Sequence, residues 1–216
     1  ATDHDIYARI LGSDGAPFTN QVGIVTTTAS QTDPDVACST AAAECLVVWE
    51  HEDTATDHDI HAQRVSATGG LVGNVVSVAS ALEFERRPAI AYNPARQEYL
   101  VVYERRIGSD EFSHHDIYAQ RLSASGSRLG SAVVIASTIR EEQNPAVALG
   151  SDYLVVWQGE QDPAGNFGIY GQRVRGDGVL LGGRLTISSW DGDQILPRLA
   201  HDAQAQRFLV VWEAHH

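Results

Sequence analysis

Leu46-Val47-Val48-Trp49, followed after a polar stretch by Asp59-Ile60-His61-Ala62-Gln63-Arg64, decides the fold, because the chain writes each of these two phrases four times. The first phrase returns as Leu100-Val101-Val102-Tyr103, Leu154-Val155-Val156-Trp157 and Leu209-Val210-Val211-Trp212. The second appears as Asp5-Ile6-Tyr7-Ala8-Arg9, Asp116-Ile117-Tyr118-Ala119-Gln120-Arg121 and Gly168-Ile169-Tyr170-Gly171-Gln172-Arg173. A unit of about 50 residues repeated this way is one supersecondary element that buries its apolar faces only against its neighbours.

Working outward from these phrases, each unit reads as four short strands bounded by Gly, Pro, Asn or Asp. In the third unit they fall at 116–122, 132–137, 144–149 and 153–158. No segment sustains a 3.6-residue apolar period, so helices are not expected. Glycines at 15, 69, 126 and 178 mark the turns between the second phrase and the strand after it. Pro34, Pro88, Pro145 and Pro197 open a further strand in each unit, where a missing N–H is tolerated.

Four short strands per unit predict an all-β, four-bladed β-propeller with four antiparallel strands per blade. From the axis outward the strands are A (beginning at the proline), B (Leu-Val-Val-Trp), C (Asp-Ile-Tyr-Ala-Gln-Arg) and D. The chain begins in C and D (5–11 and 23–30) and ends in A and B (196–201 and 208–213). The two ends sum to one blade, so the last blade is expected to be closed by the N- and C-terminal strands, which removes the sheet edges. The blades then span about 31–80, 81–137, 138–189, and 190–216 together with 1–30, in a single domain of 1–216. A ring of eight blades built from two chains is the other arrangement, with the monomer preferred.

The 216 residues carry 28 acidic side chains against 15 basic ones, for a net charge of −13, and every basic residue is Arg. Polyanions are repelled by such a surface, which argues against nucleic acid and anionic membrane as partners. The absence of Lys removes Schiff-base chemistry and the lysine of phosphate-binding loops. No apolar run reaches membrane-spanning length. The chain starts at Ala1 and contains no Met, which suggests a processed protein or an excised domain.

Cys38 and Cys45, the two cysteines of the sequence, fall opposite each other on strands A and B. Facing positions predict a disulfide and with it a secreted, periplasmic or extracellular setting; unpaired, they would be two small buried hydrophobes.

The repeats resemble the bacterial secreted propeller repeats of the type Leu-Val-Val-Trp followed by Asp-Ile-Tyr-x-Gln-Arg, and the blade number is similar to that of hemopexin-like four-bladed propellers. The resemblance spans essentially the whole chain and rests on packing motifs. It implies a structural cation, Ca²⁺, in the central channel, held by backbone carbonyls near Ala37, Ala91, Ala148 and Ala200, one on each strand A.

All acids except Asp14, Glu44, Glu98, Asp152, Asp177 and Asp202 fall on the face that carries the B-to-C and D-to-A loops. Three B-to-C loops end in Asp3-His4-Asp5, Asp57-His58-Asp59 and His114-His115-Asp116. Asp3, Asp57 and Asp116 are thereby weak metal-ligand candidates, weakened because neighbouring strand residues point to opposite faces. Trp190, the one Trp outside the repeat, lies beside Asp191 and Asp193, and Phe84 lies between Glu83 and Glu85. These six are the candidate ligand-binding residues. The expected function is therefore a noncatalytic binding propeller presenting an acidic face to a glycan or an extracellular protein. The alternative is a glycoside hydrolase or lyase with carboxylates at the channel mouth.

Overall fold

The computed structural model describes residues 3–81, 84–108, 113–161 and 165–215. Every regular element among them is a strand. Three complete antiparallel sheets follow one another: β3 (Gln31–Ser39), β4 (Glu44–Thr54), β5 (Asp57–Ser66) and β6 (Leu71–Ala79) in the first. The second holds β7 (Glu85–Asn93), β8 (Glu98–Ile107), β9 (His114–Ser123) and β10 (Arg128–Ala136). The third holds β11 (Glu142–Leu149), β12 (Tyr153–Glu160), β13 (Phe167–Val174) and β14 (Leu180–Ser188). Two-stranded sheets flank them: β1 (Ile6–Ala8) with β2 (Val22–Val25), and β15 (Gln194–Asp202) with β16 (Arg207–Ala214). Successive inner strands β3, β7, β11 and β15 pack on one another and share one cavity.

The repeated phrases are accounted for by packing. Leu100 and Val102 of β8 meet Tyr153, Val155 and Trp157 of the following sheet. Val101 and Tyr103 meet Leu46 and Val48 of the preceding one. A strand buried on both faces needs an unbroken apolar run, which is what Leu-Val-Val-Trp supplies. In the second phrase the glutamine does structural work. Gln63 Nε2 donates to the carbonyls of Arg64 and Val72, and Gln172 Nε2 donates to those of Arg173 and Leu181. Each bond holds the outer strand where its register slips, beside Gly73 and Gly182, both of positive φ.

Cys38 and Cys45 are paired in register and joined by a disulfide, as their facing positions predict. The same cross-strand position holds the rings of Tyr92 and Tyr99, with centroids 4.9 Å apart, in the second sheet, and of His201 and Phe208 in the last.

One expectation fails. The N-terminal C strand does not pair with the C-terminal B strand: β1–β2 and β15–β16 are separate sheets, and the ring is open. Each half has its own local core. Ile6 and Ile24 pack on Val47, Trp49 and Val65, while Leu199, Phe208 and Val210 pack on Ala146, Leu154 and Val156. The halves lie at opposite ends of the chain, so no short connection draws them together.

Candidate active site at the central cavity

The four inner strands surround a cavity of about 640 Å³, within the range of small-ligand sites. The polar side chains of its wall come from two positions of the repeat, one of which is apolar in the last copy. The residue before each strand A proline contributes Asp33, Arg87, Asn144 and Leu196, and the residue after it contributes Asp35 and Arg198. Packing positions are nearly the same in every repeat, whereas these positions differ in charge and size.

Asp33, Arg87, Asn144 and Leu196 share a second property, a positive φ between 49° and 55°. That conformation is costly for residues with a Cβ and is disfavoured again by a following proline. Each position coincides with a break in register between strands A and B. At three of them the displaced N–H reaches the preceding sheet. The Arg87 N–H donates to Glu50 Oε2 at 3.3 Å, that of Asn144 to Glu104 Oε1 at 2.6 Å, and that of Leu196 to Gln158 Oε1 at 2.9 Å. Glu50, Glu104 and Gln158 each follow the aromatic residue of the first phrase, so the repeat contained this signal. Sequence reasoning missed it because backbone φ has no direct trace in residue type here.

Asp35 sits in the wall with its two oxygens accepting the N–H groups of Val36 (2.9 Å) and Ile90 (2.8 Å). Burial raises its pKa above the ordinary carboxyl value, opposed by those two bonds and by the charge of Arg198. Glu104 is fully buried and is held by Arg86 Nε and Arg87 Nη1, each at 3.1 Å. Farther out, buried Asp59 lies close to Glu85, and Asp116 to Glu142. Burial is the main cause that lifts Glu85 and Glu142 to about 7. Burial and the neighbouring Asp53 and Asp57 do the same for Asp59.

The structure distributes the sequence candidates. Trp190 is 69% exposed, and its carbonyl accepts a bond from Gln194 Nε2 at 2.8 Å. Asp191 is exposed beside it, while Asp193 Oδ1 accepts the Phe167 N–H. Phe84 packs on His58 and under Arg106. Glu85 is buried, accepting the Ala81 N–H, and Glu83 lies outside the described residues. None of these lines the cavity. Ala37, Ala91, Ala148 and Ala200 stand one or two residues beyond its wall and pair with Leu46, Leu100, Leu154 and Leu209 of strands B.

The Asp-His clusters split between faces, as strand alternation requires. His114 Nε2 lies 3.5 Å from Asp116, whereas His115 turns the other way, its Nδ1 2.7 Å from Glu141. Asp57 lies within reach of Asp59 and Glu85, and Asp3 is exposed. Among the described residues no three His, Cys, Asp or Glu side chains are grouped so as to hold a metal ion.

Comparison with known proteins places the fold. No family model matches the chain, and no curated protein matches it. Among solved structures it is similar to an endo-arabinase from Bacteroides thetaiotaomicron, at TM-score 0.62 and 12% identity over 90% of this chain and 77% of that one. A thermostable family-43 glycoside hydrolase gives 0.58 and 13% over 84% of this chain and 65% of the other. An exo-1,5-α-L-arabinanase from a bovine ruminal metagenomic library gives 0.57 and 10% over 100% and 95%. At these identities the likeness shows the fold: this is a β-propeller repeat protein sharing its architecture with propeller glycoside hydrolases. The expectation of a noncatalytic binding propeller is corrected by the same finding, since these three structures that share the fold are an arabinase, a glycoside hydrolase and an arabinanase.

Proposed function

We propose that this chain is a glycoside hydrolase working at the central cavity, with Asp35 and Asp33 as its carboxyl pair. The observation that carries the reading is the placement of divergent, strained residues around one cavity in a molecule whose packing positions repeat. Strain of this kind collects at functional sites.

Glycosidic bonds are commonly cleaved between an acid of raised pKa and a carboxylate. Asp35 has the raised pKa and lies in the wall, which suits it to protonate the glycosidic oxygen as the C–O bond breaks. Asp33, from the same strand, takes the proton of the water whose oxygen bonds to the anomeric carbon. Arg87 and Arg198 supply donors for sugar oxygens. A single chain provides every one of these groups. The reading takes 1–216 as one propeller domain, with its disulfide supporting an extracellular location.

The test is release of reducing ends from arabinan, arabinoxylan and related polysaccharides. Asp35→Asn and Asp33→Asn are expected to lower the rate at least about 1,000-fold with the fold intact. The wild-type rate is expected to fall as pH rises through the raised pKa of Asp35, where the acid loses its proton. If the wild-type protein releases nothing from the panel, the reading is wrong.

A further inference from the structure

Carboxylates are in surplus in this chain, whose net charge is −13. Arg64, Arg86, Arg121 and Arg173 each have one within 3.1 Å. Arg198, in the wall of the central cavity, does not. Among the described residues no carboxylate forms an ion pair with it, and its Nη1 donates to the carbonyl of the adjacent Pro197 at 2.9 Å.

The other charged groups of the wall are already engaged. Arg87 holds both oxygens of Glu104 through Nη1, at 3.1 and 3.3 Å, and the charges of Asp33 and Glu50 also bear on it. Asp35 feels the charge of Arg198, but its two oxygens are committed to the N–H groups of Val36 and Ile90, and burial favours its uncharged form. The same position in the two middle repeats is Ala89 and Ala146, so no further polar side chain enters the wall from there. Arg198 thus keeps its remaining N–H donors for a ligand. Its planar fork matches the two oxygens of a carboxylate. One uncompensated charge suits a monoanion, whereas a phosphate dianion calls for more positive charge than this wall holds. On a glycan, the planar monoanionic group is the carboxylate of a uronic acid.

We infer that the glycan bound in the cavity carries a uronic acid whose carboxylate is held by Arg198. The inference rests on the reading of the cavity as a glycan site and adds its substrate class, acidic chains in preference to neutral ones. Arg198 is then the residue that determines specificity, since the carboxylate it holds fixes which sugar of the chain stands beside Asp35. Binding also serves the chemistry. The ligand's negative charge cancels that of Arg198, one of the influences that draw the proton off Asp35, so an acidic substrate keeps its own general acid protonated.

The test is calorimetric titration of the whole chain with the methyl glycosides of glucuronic and galacturonic acid, each compared with its own methyl ester, which lacks the charge. One of the acids is expected to bind at least about 10-fold more tightly than its ester. Arg198→Gln is expected to remove that difference, and Arg198→Lys, which keeps the charge and loses the fork, to retain part of it. Arg198 is exposed, and thermal melts are expected to show both variants folded. Equal binding of acid and ester, binding of neither, a preference that survives Arg198→Gln, or tighter binding of galactose 6-sulfate than of either acid overturns the inference. Binding is read without turnover. Acid-selective binding with no release of reducing ends therefore removes the hydrolase reading alone, and release from neutral chains without acid-selective binding removes this inference alone.

Discussion

The N–H of Asn144 donates to the carboxylate of Glu104 at 2.6 Å, joining the third sheet to a fully buried acid of the second. Arg86 and Arg87 complete the shell of that acid, so one side chain satisfies a strained backbone donor and two guanidinium groups. The third repeat makes the same contact with an uncharged amide, Gln158, whose Oε1 accepts from Leu196.

Glu104→Ala is therefore expected to destabilise the protein by about 3 kcal/mol, since it strands a buried donor and removes the charge facing both Arg. Glu104→Gln keeps the acceptor and should cost clearly less. Urea unfolding of the two variants checks this, and equal losses would show that the bond to Asn144 is not what matters.

Glu85 and Glu142 each stand at the start of an inner strand, where the other two repeats carry Gln31 and Gln194. Their folded pKa values of about 7 lie above those of an unfolded Glu. Protons are thus bound more tightly in the folded state. The stability they contribute is full below about pH 4.5 and is lost as pH rises through about 7. Glu85→Gln with Glu142→Gln should flatten the dependence of the melting temperature between pH 5 and 8. An unchanged slope would refute the assignment.

The Cys38–Cys45 bridge closes a short loop, with a sequence separation of 7. Chain-entropy reasoning gives about 2.5 kcal/mol for a loop of this size. Cys38→Ala with Cys45→Ala should lower the melting temperature accordingly and make it insensitive to reductant, whereas the wild-type protein should respond.

Trp190 packs little of its surface, and its loop is held from within by Gln194, which bonds the Trp190 backbone at both N–H and carbonyl. Trp190→Ala is expected to change stability by less than about 0.5 kcal/mol. Gln194→Ala, which removes the bonds holding the loop, should cost more; thermal melts of both variants decide the matter.

The sequence by itself determined the strands, their order within each sheet and the disulfide. Apolar alternation and cross-strand register are local properties, and Leu-Val-Val-Trp or Asp-Ile-Tyr-Ala-Gln-Arg can do its packing only as a doubly buried strand. That the Asp-His clusters divide between the two faces of their strands was legible for the same reason. The site was not. Its residues stand next to prolines in an uncommon backbone conformation, and they become one wall only when strands from four distant parts of the chain meet. Whether Glu85 faced solvent or lay buried, and whether β1 and β16 had met, depended on how sheets lean on one another. Those contacts join residues far apart in sequence, and no local pattern encodes them; only the tertiary structure could decide them.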